Sequence, residues 1–414
     1  MKGAAVVTGV GPVTALGNGA DVFFDALVAG RSGTGPLTRL APLKRGCAVA
    51  AEVADPPARG HDRRAPMPRG VELALVAARL AAADADLDSA RGNARDRIGV
   101  VVGTGLGNLD LIEAALADDQ AGSRLAPATA FRTFAHAAAC EIASELDLRG
   151  PVATVTSGCN AGADAIGLAV DWLRLGRADA VVVGGTEAEL NRAFLTAMTA
   201  ARALAVRHNP RPGAASRPFD VDRDGNVPGE GAGFLVLETA EHAARRGARA
   251  RGRVLGYASR ASGQRRPYDP FDPVLDAAPM VRALRAGLDD AGVAAGGLAA
   301  VSANGSSSVA YDLLEADALA EVLGPTIGDV PVWSMKGALG QTGAVTSALQ
   351  VVAAVLSAER RLLPPTINVE QVDPRVKLSL VRGAPRPLGD GAILCNAIGF
   401  GGYYYSALVV GAAS

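Results

Sequence analysis

Two hydrophobic patterns alternate along the chain. Short runs rich in valine and isoleucine, typical of buried strands, recur between longer segments in which apolar residues return every three or four positions, as in amphipathic helices. The short runs predict strands at residues 4–9, 98–105, 152–156, 179–185, 233–238, 253–258, 299–305 and 392–399. The helical periodicity is clearest at residues 70–85, 161–175, 277–291, 310–323 and 345–358. This alternation predicts an α/β fold with buried sheets.

The order of these predicted elements repeats. A charged stretch at 238–253 with a helical pattern separates two segments, each containing strand, helix and strand in similar order. Each segment also has a glycine-rich stretch that opens a helix, at 157–167 and at 336–349. We therefore predict duplicated α/β halves, residues 1–248 and residues 249–414. No low-complexity linker separates them, so we expect them to pack as one body.

Composition excludes several classes of function. The chain has 414 residues, 49% of them hydrophobic, and a net charge of −1, so nucleic acid is not an expected partner. The N-terminal apolar run is too short for a membrane span or a signal peptide, so we expect no membrane partner and a cytoplasmic location. The four cysteines form no CxxC pair, which argues against disulfides and a zinc site. "GVGPVT" at 9–14 lacks the third glycine of a dinucleotide fingerprint, so no cofactor is predicted.

One cysteine lies at a turn between a predicted strand and a predicted helix. The stretch "TSGCNAGADAIG" at 156–167 places Cys159 where backbone N–H groups and the positive end of the helix dipole face the sulfur. Such a position is expected to lower the thiol pKa and to favour a nucleophilic thiolate. The alternative is that Cys159 is a small core residue at a tight turn.

Five further stretches resemble the corresponding blocks of beta-ketoacyl synthases, a branch of the thiolase superfamily. They occur in the family's order at 6–33, 217–238, 334–344, 362–370 and 396–402. The resemblance implies a thiolase-like, five-layered αβαβα fold and a homodimer or a heterodimer with an active ketosynthase. It also implies acyl substrates carried on the phosphopantetheine arm of an acyl carrier protein in a bacterial-type type II fatty-acid or polyketide pathway, with no separate cofactor and no metal.

The resemblance assigns roles to individual residues. Cys159 matches the nucleophile that accepts the acyl chain, and Lys336, one of four lysines, matches the lysine beside the second catalytic histidine. Phe400 matches the gating residue, whose backbone N–H would form an oxyanion hole with that of Cys159. The resemblance further assigns Ser306, Ser308 and Gly401 to acyl or pantetheine binding.

Both catalytic histidines of the family are replaced. Asn304 in "NGSSS" and Gln341 in "KGALGQ" occupy their positions, and Gln350 replaces a glutamate nine residues further on. An amide can donate a hydrogen bond, but it cannot take up a proton near neutral pH. Acid–base assistance is typically worth ~10²–10⁴-fold, so we expect decarboxylative condensation to be badly damaged. Acyl transfer to Cys159 should be less affected, because its oxyanion hole uses backbone groups.

Two further clusters carry weaker hypotheses. The tyrosines at 403–405 either narrow the pocket, line a partner interface or alternate between core and solvent. Arg265 and Arg266 either contact an acidic carrier protein or belong to a solvated, proline-rich loop.

Three functions fit these features. The first is a chain-length-factor-like partner of an active ketosynthase that is impaired in condensation, although chain-length factors typically lack the cysteine. The second is a non-condensing acyltransferase in which Cys159 relays an acyl chain to an amine, hydroxyl or thiol acceptor. The third is a condensing synthase that uses Asn304 and Gln341 as neutral donors.

Overall fold

The structure, a computed structural model, describes residues 3–41, 43, 46–54, 66–87, 92–263, 276–401 and 404–413. The strands are β1 (Ala5–Thr14), β2 (Gly17–Asn18), β3 (Gly35–Pro36), β4 (Val49–Ala50), β5 (Ile98–Gly103), β6 (Val152–Val155), β7 (Ala180–Ala188), β8 (Glu230–Glu238), β9 (Gly252–Ala261), β10 (Leu298–Ser302), β11 (Pro331–Trp333), β12 (Leu362–Leu363), β13 (Ser379–Leu380), β14 (Arg386–Pro387), β15 (Ala392–Ile398) and β16 (Tyr404–Ala412).

The helices are α1 (Ala20–Val28), α2 (Arg69–Asp84), α3 (Leu109–Gln120), α4 (Thr129–Arg132), α5 (Ala137–Glu145), α6 (Ala161–Arg174), α7 (Arg192–Ala200), α8 (Ala240–Arg245), α9 (Ala278–Ala291), α10 (Val309–Leu323), α11 (Lys336–Leu339) and α12 (Val345–Arg360). Each strand and each periodic helix predicted from the sequence coincides with one of these elements. The helical pattern at 238–253 forms a helix only over α8. Beyond α8 the chain turns, and Arg251 pairs with Asp84 and Glu359.

The sheet repeats one strand order in both halves. In the first half the order is β6-β5-β7-β8-β1, and in the second it is β11-β10-β15-β16-β9. In each half the first three strands are parallel and the last two run antiparallel to their neighbours. β1 pairs antiparallel with β9, which joins the halves. This shared topology confirms the predicted duplication.

Five layers follow from the alternation of side chains on the strands. In β7, Val181 and Val183 face a core that contains α6 and α12, whereas Ala180 and Val182 face a second core with α2 and α5. The central core also receives side chains from β15 and β16, and a third core packs the other side of those strands against α9 and α10. The helices α6 and α12 therefore lie between two sheet halves, each covered outside by its own helices, as the αβαβα prediction requires.

The glycines of "GVGPVT" have a packing role in β1. A Cβ atom on Gly11 would lie 2.1 Å from the Ala77 carbonyl oxygen, and one on Gly9 would lie 2.2 Å from that of Ala81. Both carbonyls belong to α2, so these glycines allow the helix to approach the strand closely. Among the helices that the structure describes, none is long and apolar enough to cross a membrane.

Candidate functional site

Cys159 lies where the first half of the sheet meets the central helices. A 3-10 turn, Gly158–Asn160, follows β6 and leads directly into α6. Gly158 has φ +61°, a left-handed conformation that glycine adopts without steric cost. The half-buried Cys159 thiol accepts a hydrogen bond from the backbone N–H of Phe400, which follows β15. The two halves of the chain thus meet at this sulfur.

A cavity of about 560 Å³ opens onto the thiol. Its wall is mostly apolar, with a few polar groups near the sulfur, as in many small-molecule sites. The lining residues are Gly105, Leu106, Ser157, Gly158, Cys159, Glu187, Glu189, Phe194, Met198, Leu204, Asn226, Pro228, Asn304, Ser306, Tyr311, Gln341, Ile398, Gly399, Phe400 and Tyr404. The structure therefore brings Cys159, Asn304, Gln341 and Phe400 together, as the sequence predicted.

The predicted lowering of the Cys159 pKa was wrong. Desolvation in the cavity is the main reason that the thiol pKa rises to about 11, and the negative charges of Glu189 and Glu187 raise it further. The positive charge of Lys336 and the Phe400 N–H favour the thiolate but do not compensate. At neutral pH the resting thiol is protonated, so it needs a base when it reacts.

Lys336 orients Asn304. Its buried ammonium donates to Asn304 Oδ1 over 2.7 Å, and the Ile398 N–H donates to the same oxygen over 3.3 Å. Two donors at one oxygen fix the amide orientation, and Nδ2 has no hydrogen-bond partner among the described residues. Asn304 therefore has a free donor in a residue that lines the cavity. Burial lowers the pKa of Lys336 to about 8.

The two glutamines differ in what they contact. Gln341 lines the cavity, and its buried Oε1 has no hydrogen-bond partner in the described part of the chain. Gln350 Nε2 donates to the carbonyl oxygens of Ser302, Ala303 and Asn396 at 3.0, 3.1 and 3.0 Å. Gln350 thus ties the ends of β10 and β15 together, and three acceptors around one group suit an amide better than a carboxylate.

Two buried carboxyl groups beside the thiol were missed at the sequence level. Glu187 in β7 accepts hydrogen bonds from the backbone N–H groups of Gly105 and Leu106, at 2.6 and 3.1 Å, and from Thr104 Oγ1 at 3.2 Å. Glu189 follows β7, is 5% exposed and lines the same cavity. Desolvation raises the pKa of Glu187 to about 7 and that of Glu189 well above its usual range. The signal was "TEAE" at a strand end, where alternate residues share a face.

A further carboxyl group holds the loop that carries Asn304. Glu315 of α10 accepts from the backbone N–H groups of Asn304 and Gly305, each at 2.7 Å, and from Asn396 Nδ2 at 2.6 Å. Desolvation raises its pKa to about 7. These contacts fix the Asn304 backbone, while Lys336 and the Ile398 N–H fix its side-chain amide.

The nucleophile turn is tied to the second half through one carboxyl group. Asp164 in the first turn of α6 accepts from the hydroxyls of Tyr257 and Tyr404, each at 2.6 Å, from Ser406 at 2.8 Å, and from Ser157. Tyr257 lies in β9, whereas Tyr404 and Ser406 lie in β16. Hydroxyl donors from three parts of the chain thus meet at Asp164, which lies five residues after Cys159 in the sequence.

The three residues predicted to bind the acyl chain or pantetheine lie in different surroundings. Ser306 lines the cavity, and its backbone N–H donates to Asp312 Oδ1 at 2.8 Å. Ser308 precedes α10 and Gly401 donates its N–H to Tyr311, and neither belongs to the cavity wall. Acyl or pantetheine binding by Ser308 and Gly401 therefore stays a prediction.

Of the tyrosine cluster, Tyr404 lines the cavity and Tyr405 is fully buried, so that the pocket-narrowing and alternating-strand interpretations each hold for one residue. Tyr403, Arg265 and Arg266 lie outside the described residues.

Phe400 lines the cavity with 38% of its surface exposed, which suits a side chain at the mouth of the cavity. Among the described residues, no group of three histidine, cysteine or acidic side chains is arranged to hold a metal.

Comparison with known proteins decides the family. The model of the beta-ketoacyl synthase N-terminal domain matches residues 4–243, and that of the C-terminal domain matches residues 251–370. The chain belongs to the beta-ketoacyl synthase family. Its thiolase-like ketosynthase fold is the one that the motifs predicted.

Relatives of this ketosynthase-family chain include an oxoacyl-[acyl-carrier-protein] synthase and a polyketide synthase subunit. It is 36% identical over 407 residues to 3-oxoacyl-[acyl-carrier-protein] synthase 2 of Synechocystis, covering 97% of this chain and 96% of the relative. It is 34% identical over 415 residues to the tetracenomycin polyketide synthase ketoacyl synthase alpha subunit of Streptomyces glaucescens, covering 98% and 96%. The solved ishigamide ketosynthase/chain length factor superposes with a TM-score of 0.89 at 31% identity, with full coverage of both chains.

Proposed function

We propose that this ketosynthase-family protein is an acyltransferase that loads an acyl chain onto Cys159 and passes it to an amine, hydroxyl or thiol acceptor without condensation. The observation that carries the proposal is a single cavity that keeps the thiol and its backbone donor but holds amides at the two positions where the family has imidazoles. Acyl transfer uses the retained groups, whereas decarboxylation uses the replaced ones.

The proposed donor is an acyl chain on the phosphopantetheine arm of an acyl carrier protein. A similar solved structure, at 28% identity and a TM-score of 0.87, holds a type II polyketide acyl-carrier protein with its ketosynthase bound to the hexaketide. The mostly apolar cavity wall around Cys159 suits an acyl chain. On this proposal the carrier supplies the pantetheine, and the chain needs no cofactor of its own.

Each reacting atom has a group to stabilise it. Cys159 Sγ attacks the thioester carbonyl, and the backbone N–H groups of Cys159 and Phe400 stabilise the oxyanion that forms. Asn304 Nδ2 is a further neutral donor. A preorganised donor at an oxyanion is typically worth ~3 kcal/mol of transition-state stabilisation. Decarboxylation of a malonyl group lacks the proton and charge stabilisation that two imidazoles supply, so we infer that condensation is impaired.

The test is intact-protein mass measurement after incubation with an acyl carrier thioester. We expect one acyl adduct, absent from Cys159→Ala and retained in Cys140→Ala, which removes an exposed cysteine outside the cavity. Addition of amine, hydroxyl or thiol acceptors should discharge the adduct. An unmodified protein would overturn the proposal, as would efficient carbon dioxide release from a malonyl carrier protein, which would indicate condensation.

A second function, that of a chain-length-factor-like partner of an active ketosynthase, is favoured by several exposed apolar side chains. Strand β6 forms an edge of the described sheet, and its Val152 is 42% exposed. Phe131 and Phe134, before α5, are 74% and 57% exposed. Exposed aromatic groups of this size are typical of an interface with another chain. Activity that requires an added ketosynthase would support this role, and a homodimer that transfers acyl groups alone would contradict it.

A further inference from the structure

Glu189 is a buried carboxyl group without a partner. No hydrogen bond or ion pair reaches its side chain from the residues that the structure describes, although only 5% of its surface is exposed. A Cβ atom at Gly343, which has φ +55°, would lie 2.2 Å from Glu189 Oε1, so that glycine leaves room for the carboxyl group. A buried carboxyl group without hydrogen bonds is costly, and groups of this kind concentrate at functional sites.

The Glu189 carboxyl group lies in the electrostatic field of the nucleophile. After desolvation, the negative charge of Glu189 is the largest cause of the raised Cys159 pKa. The other charged groups around Glu189 are Glu187, which raises its pKa, and Lys336, which lowers it. Glu189 and Cys159 both line the cavity that contains Asn304 and Gln341.

The other ionisable groups around the thiol are already engaged in hydrogen bonds, unlike Glu189. The carboxyl oxygens of Glu187 accept from three backbone N–H groups and a threonine hydroxyl. Lys336 donates to Asn304, and an ammonium has no lone pair. Within the described cavity wall there is no histidine, and both family imidazole positions hold amides.

We propose that Glu189 is the general base of acyl transfer in this cavity, taking the proton from the attacking group and returning it to the leaving thiol. The inference rests on the proposed acyl-transfer function and adds the group that moves the proton. It assigns a catalytic role to a residue at which the family motifs give no signal.

Both half-reactions balance with this one carboxyl group. In the first, the Cys159 sulfur forms a bond to the carbonyl carbon, its proton passes to Glu189, and the carrier's carbon–sulfur bond breaks. The departing pantetheine sulfur then takes the proton from Glu189. In the second, an acceptor X–H attacks the acyl-enzyme, its proton passes to Glu189, the bond from carbon to Cys159 breaks, and the thiol regains the proton. No oxidant or reductant is needed.

The test compares Glu189→Gln and Glu189→Asp with Glu241→Gln, a control on α8 whose side chain is 85% exposed. The first measurement is the rate of acyl adduct formation on Cys159 from an acyl carrier thioester between pH 6 and pH 9. We expect Glu189→Gln to slow acylation at pH 7 by about 10²–10⁴-fold and to remove the part of the pH dependence that follows ionisation of Glu189. Glu189→Asp should retain part of the acylation rate and part of its pH dependence, and Glu241→Gln should match the unmutated protein.

The second measurement is alkylation of Cys159 by iodoacetamide between pH 7 and pH 10. Removal of the Glu189 charge should stabilise the thiolate, so Glu189→Gln should be alkylated faster than the unmutated protein while it is acylated more slowly. A purely structural role would not produce these opposite changes.

The outcomes separate the two proposals. Acylation of Glu189→Gln at the unmutated rate would overturn the general-base inference and leave the acyl-transfer function standing. Equal slowing of acylation and alkylation would show a structural role and would also overturn the inference. If the unmutated protein is alkylated at Cys159 but never acylated, the proposed function fails and the general-base role fails with it.

Discussion

Lys336 Nζ lies 2.7 Å from Asn304 Oδ1, and this contact fixes the orientation of an amide that lines the cavity beside Cys159. The ammonium also favours the Cys159 thiolate, because it is the main group that lowers the thiol pKa. One buried cation therefore acts on both the nucleophile and a neutral donor of the same cavity.

Replacement of Lys336 by methionine should make Cys159 less reactive. Lys336 is mostly charged at pH 7, because its pKa is about 8. Loss of this positive charge raises the thiol pKa, so the thiolate fraction at pH 7 falls and alkylation slows, on the order of tenfold at most. Iodoacetamide labelling followed by mass measurement gives the rate. Lys377→Met removes an exposed lysine and is the matched control. Unchanged or faster labelling of Lys336→Met would contradict the electrostatic assignment.

The hydroxyl groups around Asp164 should stabilise the fold. Tyr257→Phe removes a 2.6 Å hydrogen bond to this carboxyl group and should lower the free energy of unfolding by about 1–3 kcal/mol. The control is Tyr405→Phe, because the buried Tyr405 hydroxyl has no hydrogen-bond partner in the described residues. That variant should be neutral or slightly stabilising. Urea unfolding measures both, and equal losses would argue against a specific role for Asp164.

The sequence predicted the elements and the duplication because both depend on local periodicity. Three consecutive valines in β7 identify a strand with two buried faces, whatever packs against it. The cavity residues from the second half were located through motifs, and Asn304 and Gln341 indeed lie together with Cys159.

The electrostatics of the site could not be predicted in the same way. The turn before α6 suggested backbone donors of its own at Cys159, whereas the backbone donor to the sulfur is the N–H of Phe400. The thiol pKa also depends on Glu187 and Glu189, which arrive from another strand. Sequence shows that these residues are acidic but not that they are buried beside the sulfur. Desolvation depends on the tertiary structure, so the direction of the pKa shift became clear only from the packed cavity.

Gln350 should not tolerate replacement by glutamate, the residue that the family resemblance predicts at this position. Its amide nitrogen donates to three carbonyl oxygens, which a carboxylate would repel, so Gln350→Glu should lower stability by about 1–3 kcal/mol. Burial would raise the pKa of the new carboxyl group in the folded state. The stability penalty should therefore be smaller at pH 5 and grow as the pH rises towards 8.

Thermal unfolding at pH 5 and pH 8 measures this effect. Gln371→Glu, at an exposed position, is the control and should show little change at either pH. A Gln350→Glu protein as stable as the unmutated one at pH 8 would mean that the three carbonyl groups can rearrange.

Imidazoles introduced at positions 304 and 341 should increase decarboxylation. An imidazole at position 304 can accept the Lys336 hydrogen bond through one ring nitrogen while the other faces the substrate, as Asn304 does with its two amide atoms. We expect the double variant Asn304→His with Gln341→His to release carbon dioxide from a malonyl carrier protein faster by about 10²-fold or more. Asn304→Asp with Gln341→Glu, which supplies charge but no donor, should give no gain. A double histidine variant that is acylated at Cys159 but no faster in decarboxylation would show that the cavity around Glu189, rather than the missing imidazoles, prevents condensation.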